Sequence, residues 1–271
     1  MVVKRPQATK CRRSSPIPEL KRRKIKNVRP KQIRKSATTR PQIIIFDVDG
    51  VLVDVQGSYL GTVLETVKHF TGKRVTMGEL HRWKNQSGYN DDWKLSTAWV
   101  QSLGGKAEYD EIKAQFVKFY WGANGKPGNV AREKWLVPRT VLRRLARAAE
   151  LGIFTGRVRQ ELDYTFDRNK THEYFRTVVT ADDVAKHKPD PEGLFAILKG
   201  RDPQTALYVG DNVDDAKAAR AAGIPFAGLL PRGTQEWRER APILRELGAT
   251  RIFGSVSELE AFLRKTHPQI S

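Results

Sequence analysis

Cysteine is almost missing from this chain: of 271 residues only Cys11 is a thiol, which excludes a disulfide framework and a thiolate metal site. Histidine is scarce too, and His69, His81, His172 and His267 show no ligand spacing, so they read as structural or exposed. No apolar run approaches the roughly eighteen residues of a membrane span, and no signal-peptide core follows the start. The expectation is a cytoplasmic protein in a reducing setting, with no membrane partner. An apolar content of 39% over this length suffices for one large core or two modest ones.

Acid is nearly missing from one stretch. Residues 1–40 carry 15 Lys and Arg against the single acid Glu19, whereas the other 231 residues carry 34 basic and 29 acidic side chains. The net charge of +19 therefore belongs mostly to a basic arm, and residues 41–271 are only mildly basic. With prolines at 6, 16, 18 and 30 and few apolar residues, the arm is expected to be disordered. It reads as a solvated tail, as an upstream start included in the frame, or as a segment that binds a polyanion such as nucleic acid. Residues 41–271 contain no aromatic-interleaved basic strand and no zinc spacing, so nucleic acid is a partner only through the arm.

What is present is concentrated at Ile43-Ile44-Ile45-Phe46-Asp47-Val48-Asp49-Gly50. Four apolar residues rich in β-branching read as a short buried strand, which ends in two aspartates spaced by two and a glycine. Carboxylates at the carboxyl end of a buried strand sit where open α/β sheets bind ligands. There they can share a hard cation, with one acting as nucleophile and the other handling protons. A solvated acidic turn is the other reading of these four residues alone. A spacing of two puts the side chains on opposite sides of an ideal strand, so the chain must leave strand geometry here, which Gly50 eases.

Beyond Arg139, strand-like and helix-like segments alternate. Helical spacing covers Val141–Ala149, Arg159–Arg168, Pro191–Leu198, Asp214–Ala222, Gln235–Leu247 and Ser257–Lys265; strands are expected at Leu151–Phe154, Thr177–Thr180, Ala206–Val209, Phe226–Leu229 and Arg251–Phe253. That alternation predicts an α/β fold, a Rossmann-like parallel sheet with helices on both faces. Residues 56–135 instead look almost wholly helical, with helices at Thr62–Phe70, Met77–Lys84, Asp92–Ser102 and Ala107–Trp121. The expected organisation is a core of residues 41–54 and 137–271 with a small helical cap, 55–136, over its carboxyl edge. The polar stretch from Asn85 to Trp93 either lines a pocket or forms a turn in which Asn90 or Asp91 caps the next helix.

Three further signals fall at strand ends or helix starts: Thr155-Gly156, Lys188-Pro189-Asp190-Pro191 and Gly210-Asp211-Asn212-Val213-Asp214-Asp215. Taken singly, they are a turn, a solvated charged loop and a helix start with dipole-favoured acids. In this order, together with Asp47-x-Asp49-Gly50, the set resembles the haloacid dehalogenase superfamily of phosphohydrolases, over residues 42–265. The resemblance implies that Asp47 is the nucleophile and Asp49 the general acid and base. It implies that Thr155 and the Gly156 N–H bind the transferring phosphoryl group and that Lys188 supplies positive charge. It also implies Mg²⁺ held by Asp47, the Asp49 carbonyl and Asp211, with Asp215 orienting a metal-bound water. Asp214 stays a helix-start acid, and Arg157 either reaches substrate or forms a salt bridge at the cap hinge.

Within that family an acid at the second position points to phosphate monoester hydrolysis, with a small phosphorylated metabolite as substrate. A phosphomutase, which must keep water from the aspartyl-phosphate, is the neighbouring alternative. A polyanion-binding protein acting through residues 1–40 is the alternative outside enzymes. Neither the particular ester nor the oligomeric state is legible.

Overall fold

The computed structural model describes residues 40–89 and 91–266. The basic arm expected over residues 1–40 lies outside the described residues except for Arg40, as do Asn90 and His267.

The apolar run forms β1 (Ile43–Phe46), fully buried, and a two-residue strand β2 (Val53–Asp54) follows. Between them the chain turns tightly around the Val48 carbonyl, which accepts from the N–H groups of Val51, Leu52 and Val53. Gly50 takes φ +75°, and a Cβ there would lie 2.6 Å from Asp211 Oδ2, so both the turn and the close approach require glycine. The expected departure from strand geometry is thus a compact loop.

A π-helical turn (Gln56–Leu60) leads into α1 (Gly61–Thr71), α2 (Met77–Lys84), α3 (Asp92–Ser102) and α4 (Tyr109–Trp121). Thr76 and Glu79 close a capping box at α2, and Asp91 caps α3 by accepting from the N–H groups of Trp93 and Lys94. The reading of residues 56–135 as almost wholly helical needs one correction. After α4 come a tight hairpin, β3 (Gly122–Ala123) with β4 (Lys126–Pro127), and a 3₁₀ turn at Asn129–Arg132. Positive φ at Gly122, Asn124 and Gly125 breaks the helical path. Strand β5 (Lys134–Trp135) then pairs antiparallel with β2 in a separate two-stranded ribbon, so the two ends of the helical segment lie side by side.

The rest alternates as α5 (Arg139–Ala148), β6 (Glu150–Phe154), α6 (Arg159–Asn169), β7 (Thr177–Val179), α7 (Glu192–Leu198), β8 (Ala206–Gly210), α8 (Val213–Ala222), β9 (Phe226–Leu229), α9 (Gln235–Glu246), β10 (Ala249–Phe253) and α10 (Val256–Thr266). The six sheet strands are parallel in the order β10-β9-β8-β1-β6-β7. Alternate residues of β1 point to opposite faces: Ile44 and Phe46 pack with Leu142, Leu145 and Leu162, Ile43 and Ile45 with Leu194, Ile197 and Leu244. This is the α/β, Rossmann-like sheet covered on both faces. The strand order reverses between β1 and β8, which opens a crevice at their carboxyl ends.

Candidate active site

The crevice at β1 and β8 collects most of the predicted residues. Asp47 directly follows β1, its N–H bonded to the Val209 carbonyl at 2.9 Å. Lys188, brought in by the loop before α7, donates to Asp47 Oδ1 at 2.8 Å and to Asp215 Oδ1 at 2.7 Å. Its ammonium is almost wholly buried, above the rings of Phe154 and Tyr208. Burial alone would push this ammonium down, but the Asp215 and Asp47 carboxylates outweigh it and hold Lys188 above its ordinary range. The loop is therefore not a solvated charge run.

Asp215 is fixed from three sides. Besides Lys188, Oδ1 accepts from the Tyr208 hydroxyl at 2.7 Å, and Oδ2 accepts from the Asn212 N–H at 3.1 Å as the capping box of α8. Asp211, at the end of β8, meets Arg240 Nη1 at 3.0 Å. Carboxylate oxygens of Asp47, Asp211 and Asp215 all lie within 4.8 Å of one another. Burial pushes the Asp47 carboxyl well above its usual range, and Asp215, Asp49 and Asp211 push it further against the opposing Lys188. Burial likewise raises Asp211, to about 7, with Arg240 opposing and Asp215 adding. Three clustered carboxylates are more negative charge than one ammonium and one guanidinium neutralise comfortably. An oxygen-rich donor set of this kind fits a hard divalent cation such as Mg²⁺. Asp47 and Asp211 have donor capacity to spare, whereas both Asp215 oxygens are already engaged by N–H and O–H donors.

Asp49 lies across the crevice, and its carboxylate turns away from that cluster. Its Oδ1 accepts two N–H bonds from Arg157, from Nε at 2.8 Å and Nη2 at 2.5 Å. Arg157 is fully buried, so of its two readings the salt bridge at the hinge is the observed one. Thr155 follows β6; its N–H bonds the Val179 carbonyl and its hydroxyl accepts from the Arg157 N–H at 3.2 Å. Gly156 faces the crevice, whereas Thr155 is almost completely buried behind it.

The helical segment roofs a cavity of about 600 Å³ whose floor is Asp47, Asp49, Gly156 and Lys188 and whose far wall includes Trp93 and Tyr109. The stretch from Asn85 to Trp93 does both things expected of it: Asp91 caps α3, and Gly88, Asp91 and Trp93 line the cavity. Asp214 lies in the first turn of α8, as read, but its buried carboxylate also accepts from Ser87 Oγ at 2.7 Å and the Gly88 N–H at 3.0 Å. Arg240 reaches Asn85 Oδ1 at 2.9 Å, and His81 pairs with Glu236 at 2.8 Å. Four contacts thus seat residues 81–88 on α8 and α9. Sequence reasoning missed Tyr208, Arg240 and Glu133; each sits in an ordinary strand, helix or loop pattern with no local signal.

A family model described as haloacid dehalogenase-like hydrolase matches residues 44–229. Imidazoleglycerol-phosphate dehydratase from Phytophthora nicotianae is 30% identical over 224 residues, which cover 77% of this chain and 49% of that relative. The chain spans about half the length of that protein. Phosphoglycolate phosphatase 1 from Pseudomonas aeruginosa is 27% identical over 217 residues, covering 78% of this chain and 75% of the relative. Among solved structures, a phosphonoacetaldehyde hydrolase-like protein from Oleispira antarctica superposes with a TM-score of 0.65 at 17% identity, over 86% of this chain and 94% of its own. At that identity the likeness concerns the fold alone.

Proposed function

Because the chain belongs to the haloacid dehalogenase-like hydrolase family, we propose that it is a phosphatase that hydrolyses a small phosphate monoester through an aspartyl-phosphate on Asp47. The observation that carries this reading is the meeting of Asp47, Lys188, Asp211 and Asp215 at the carboxyl ends of β1 and β8, with Asp49 facing them across the crevice. The phosphatase relative from Pseudomonas aeruginosa supports a small phosphorylated metabolite as substrate.

A carboxylate oxygen of Asp47 attacks phosphorus in line with the ester oxygen. The new Asp47–phosphorus bond forms as the bond to the leaving oxygen breaks, and Asp49 gives that oxygen its proton. A water then attacks the phosphorus of the aspartyl-phosphate and passes a proton to Asp49, and the bond from Asp47 to phosphorus breaks as the new one forms. Inorganic phosphate departs and both carboxyl groups return to their starting states. Lys188 balances charge on Asp47 and on the phosphoryl oxygens, and Asp215 with Tyr208 holds its ammonium in place. The Gly156 N–H offers a further hydrogen bond to those oxygens, with Thr155 behind it. Mg²⁺, held by Asp47, Asp211 and the backbone carbonyl of Asp49, supplies positive charge to the phosphoryl group when bound. Residues 55–136 act as a cap that excludes water from the cavity and selects the ester.

The test is phosphate release from p-nitrophenyl phosphate and a panel of small phosphate monoesters, with Mg²⁺ and with EDTA, for the wild type and Asp47→Asn. Turnover that needs Mg²⁺ and disappears in Asp47→Asn is the expected result. Turnover that survives Asp47→Asn would overturn the assignment of the nucleophile.

A further inference from the structure

Arg157 is the largest fully buried side chain among the described residues, and a guanidinium so placed needs every N–H satisfied. It achieves this with five bonds. Nε and Nη2 donate to Asp49 Oδ1, Nη2 also donates to Glu133 Oε1 at 2.9 Å, and Nη1 donates to Glu133 Oε2 at 3.3 Å and to Thr165 Oγ1 at 2.7 Å. Glu133 is itself held, by the Tyr120 hydroxyl of α4 at 3.0 Å and the Thr165 hydroxyl of α6 at 2.7 Å. The Tyr59 ring covers the guanidinium at 5.1 Å. A continuous buried chain therefore runs from α4 through Glu133, beside the strand that closes the helical segment, to Asp49.

Asp49 is treated asymmetrically by this arrangement. Both Arg157 bonds end on Oδ1, and among the described residues Oδ2 has no protein partner, while the side chain keeps about a third of its surface open on the cavity. We infer that Arg157 is a positioning residue for proton transfer: backed by Glu133 and Thr165, it pins Asp49 Oδ1 so that Oδ2 alone carries the proton to and from the reacting oxygens. The inference rests on the phosphatase reading and deepens it. A pinned carboxyl presents its proton in one direction without first losing rotamer freedom. The fork matters as well as the charge, since the three donors of an ammonium radiate from one atom and cannot reproduce the planar set of five N–H groups that reaches Asp49, Glu133 and Thr165 together.

The experiment compares two esters in full-length protein. p-Nitrophenolate leaves as a stable anion and needs little help from an acid, whereas a simple alkyl alkoxide cannot leave without a proton. For Arg157→Lys, kcat/KM for an alkyl phosphate is expected to fall about a hundredfold or more, and for p-nitrophenyl phosphate less than about fivefold. Glu133→Gln, which leaves Arg157 one oxygen acceptor and replaces the other with an amide donor, should show the same bias to a smaller degree, and carries the test if Arg157→Lys does not fold. Equal losses for both esters, or no loss for either, would overturn the inference while leaving the phosphatase reading intact. Wild-type protein that turns over neither ester would overturn both.

Discussion

Asp211→Asn gives a stability experiment whose sign is fixed by the site. The Asp211 carboxyl sits at about 7 because burial, helped by Asp215 and Glu236, outweighs the opposing Arg240 and Lys84. A carboxyl raised in the fold contributes stability that is complete below its ordinary 3.8 and is lost as pH climbs through about 7. The full loss is about 4 kcal/mol, and about 2–4 kcal/mol once screening by water is allowed for, since a fifth of the side chain is open to solvent. Asparagine has nearly the same shape, its amide oxygen can still accept from Arg240, and it does not ionise. Without metal, Asp211→Asn should therefore gain about 2–3 kcal/mol on the wild type between pH 4.5 and pH 8, or roughly 4–12 °C in midpoint. The assay is urea and thermal unfolding of both proteins in EDTA at the two pH values. Taking the difference between proteins removes other titrating groups, among them the Glu161 carboxyl, which burial raises to about 7. Adding Mg²⁺ at pH 8 should restore the wild type and leave the variant unmoved. An identical difference at both pH values, or equal stabilisation of both proteins by Mg²⁺, would refute the reasoning.

Two other substitutions probe the remaining supports. Lys188→Met leaves Asp47 and Asp215 buried without their shared ammonium and should cost about 3–5 kcal/mol at pH 7. In unfolding measurements the cost should shrink in acid, where Asp47 takes up a proton. Asp214→Ala removes the acceptor of both Ser87 Oγ and the Gly88 N–H and should raise KM roughly tenfold, about 1.4 kcal/mol, with Mg²⁺ affinity by calorimetry unchanged. Trypsin should then cut near Arg82 and Lys84 faster than in the wild type; unchanged cleavage and KM would mean that the two remaining contacts, Arg240 to Asn85 and His81 to Glu236, suffice.

The sheet was legible because its signals are local. β1, β9, α2 and α3 have the residue bounds that apolar spacing and caps indicate, and most other ends differ by one or two residues. The carboxylates and Lys188 were legible because each sits at a strand end or helix start, where the fold class says chemistry collects. What stayed hidden depends on contacts between distant segments. Asp214 looks like any first-turn acid until Ser87 arrives on it from 127 residues away. Arg157 offers substrate contact and salt bridge equally until Glu133 and Asp49 close on its fork. Arg240 lies in a charged helix, Gln235–Glu246, where nothing marks one arginine as the buried one. The hairpin after Trp121 is marked in the sequence only by the glycines at 122, 125 and 128, and the helical pattern around it is the stronger signal.

A covalent phosphoryl group on Asp47 is read by mass spectrometry of peptides from protein quenched in acid during turnover of a phosphate monoester. A gain of about 80 Da, one phosphoryl group, is expected on the peptide containing Asp47. That gain should be absent in Asp47→Asn and absent when substrate is omitted. Turnover with no such adduct in any quench, or an adduct on another residue that survives Asp47→Asn, would contradict it.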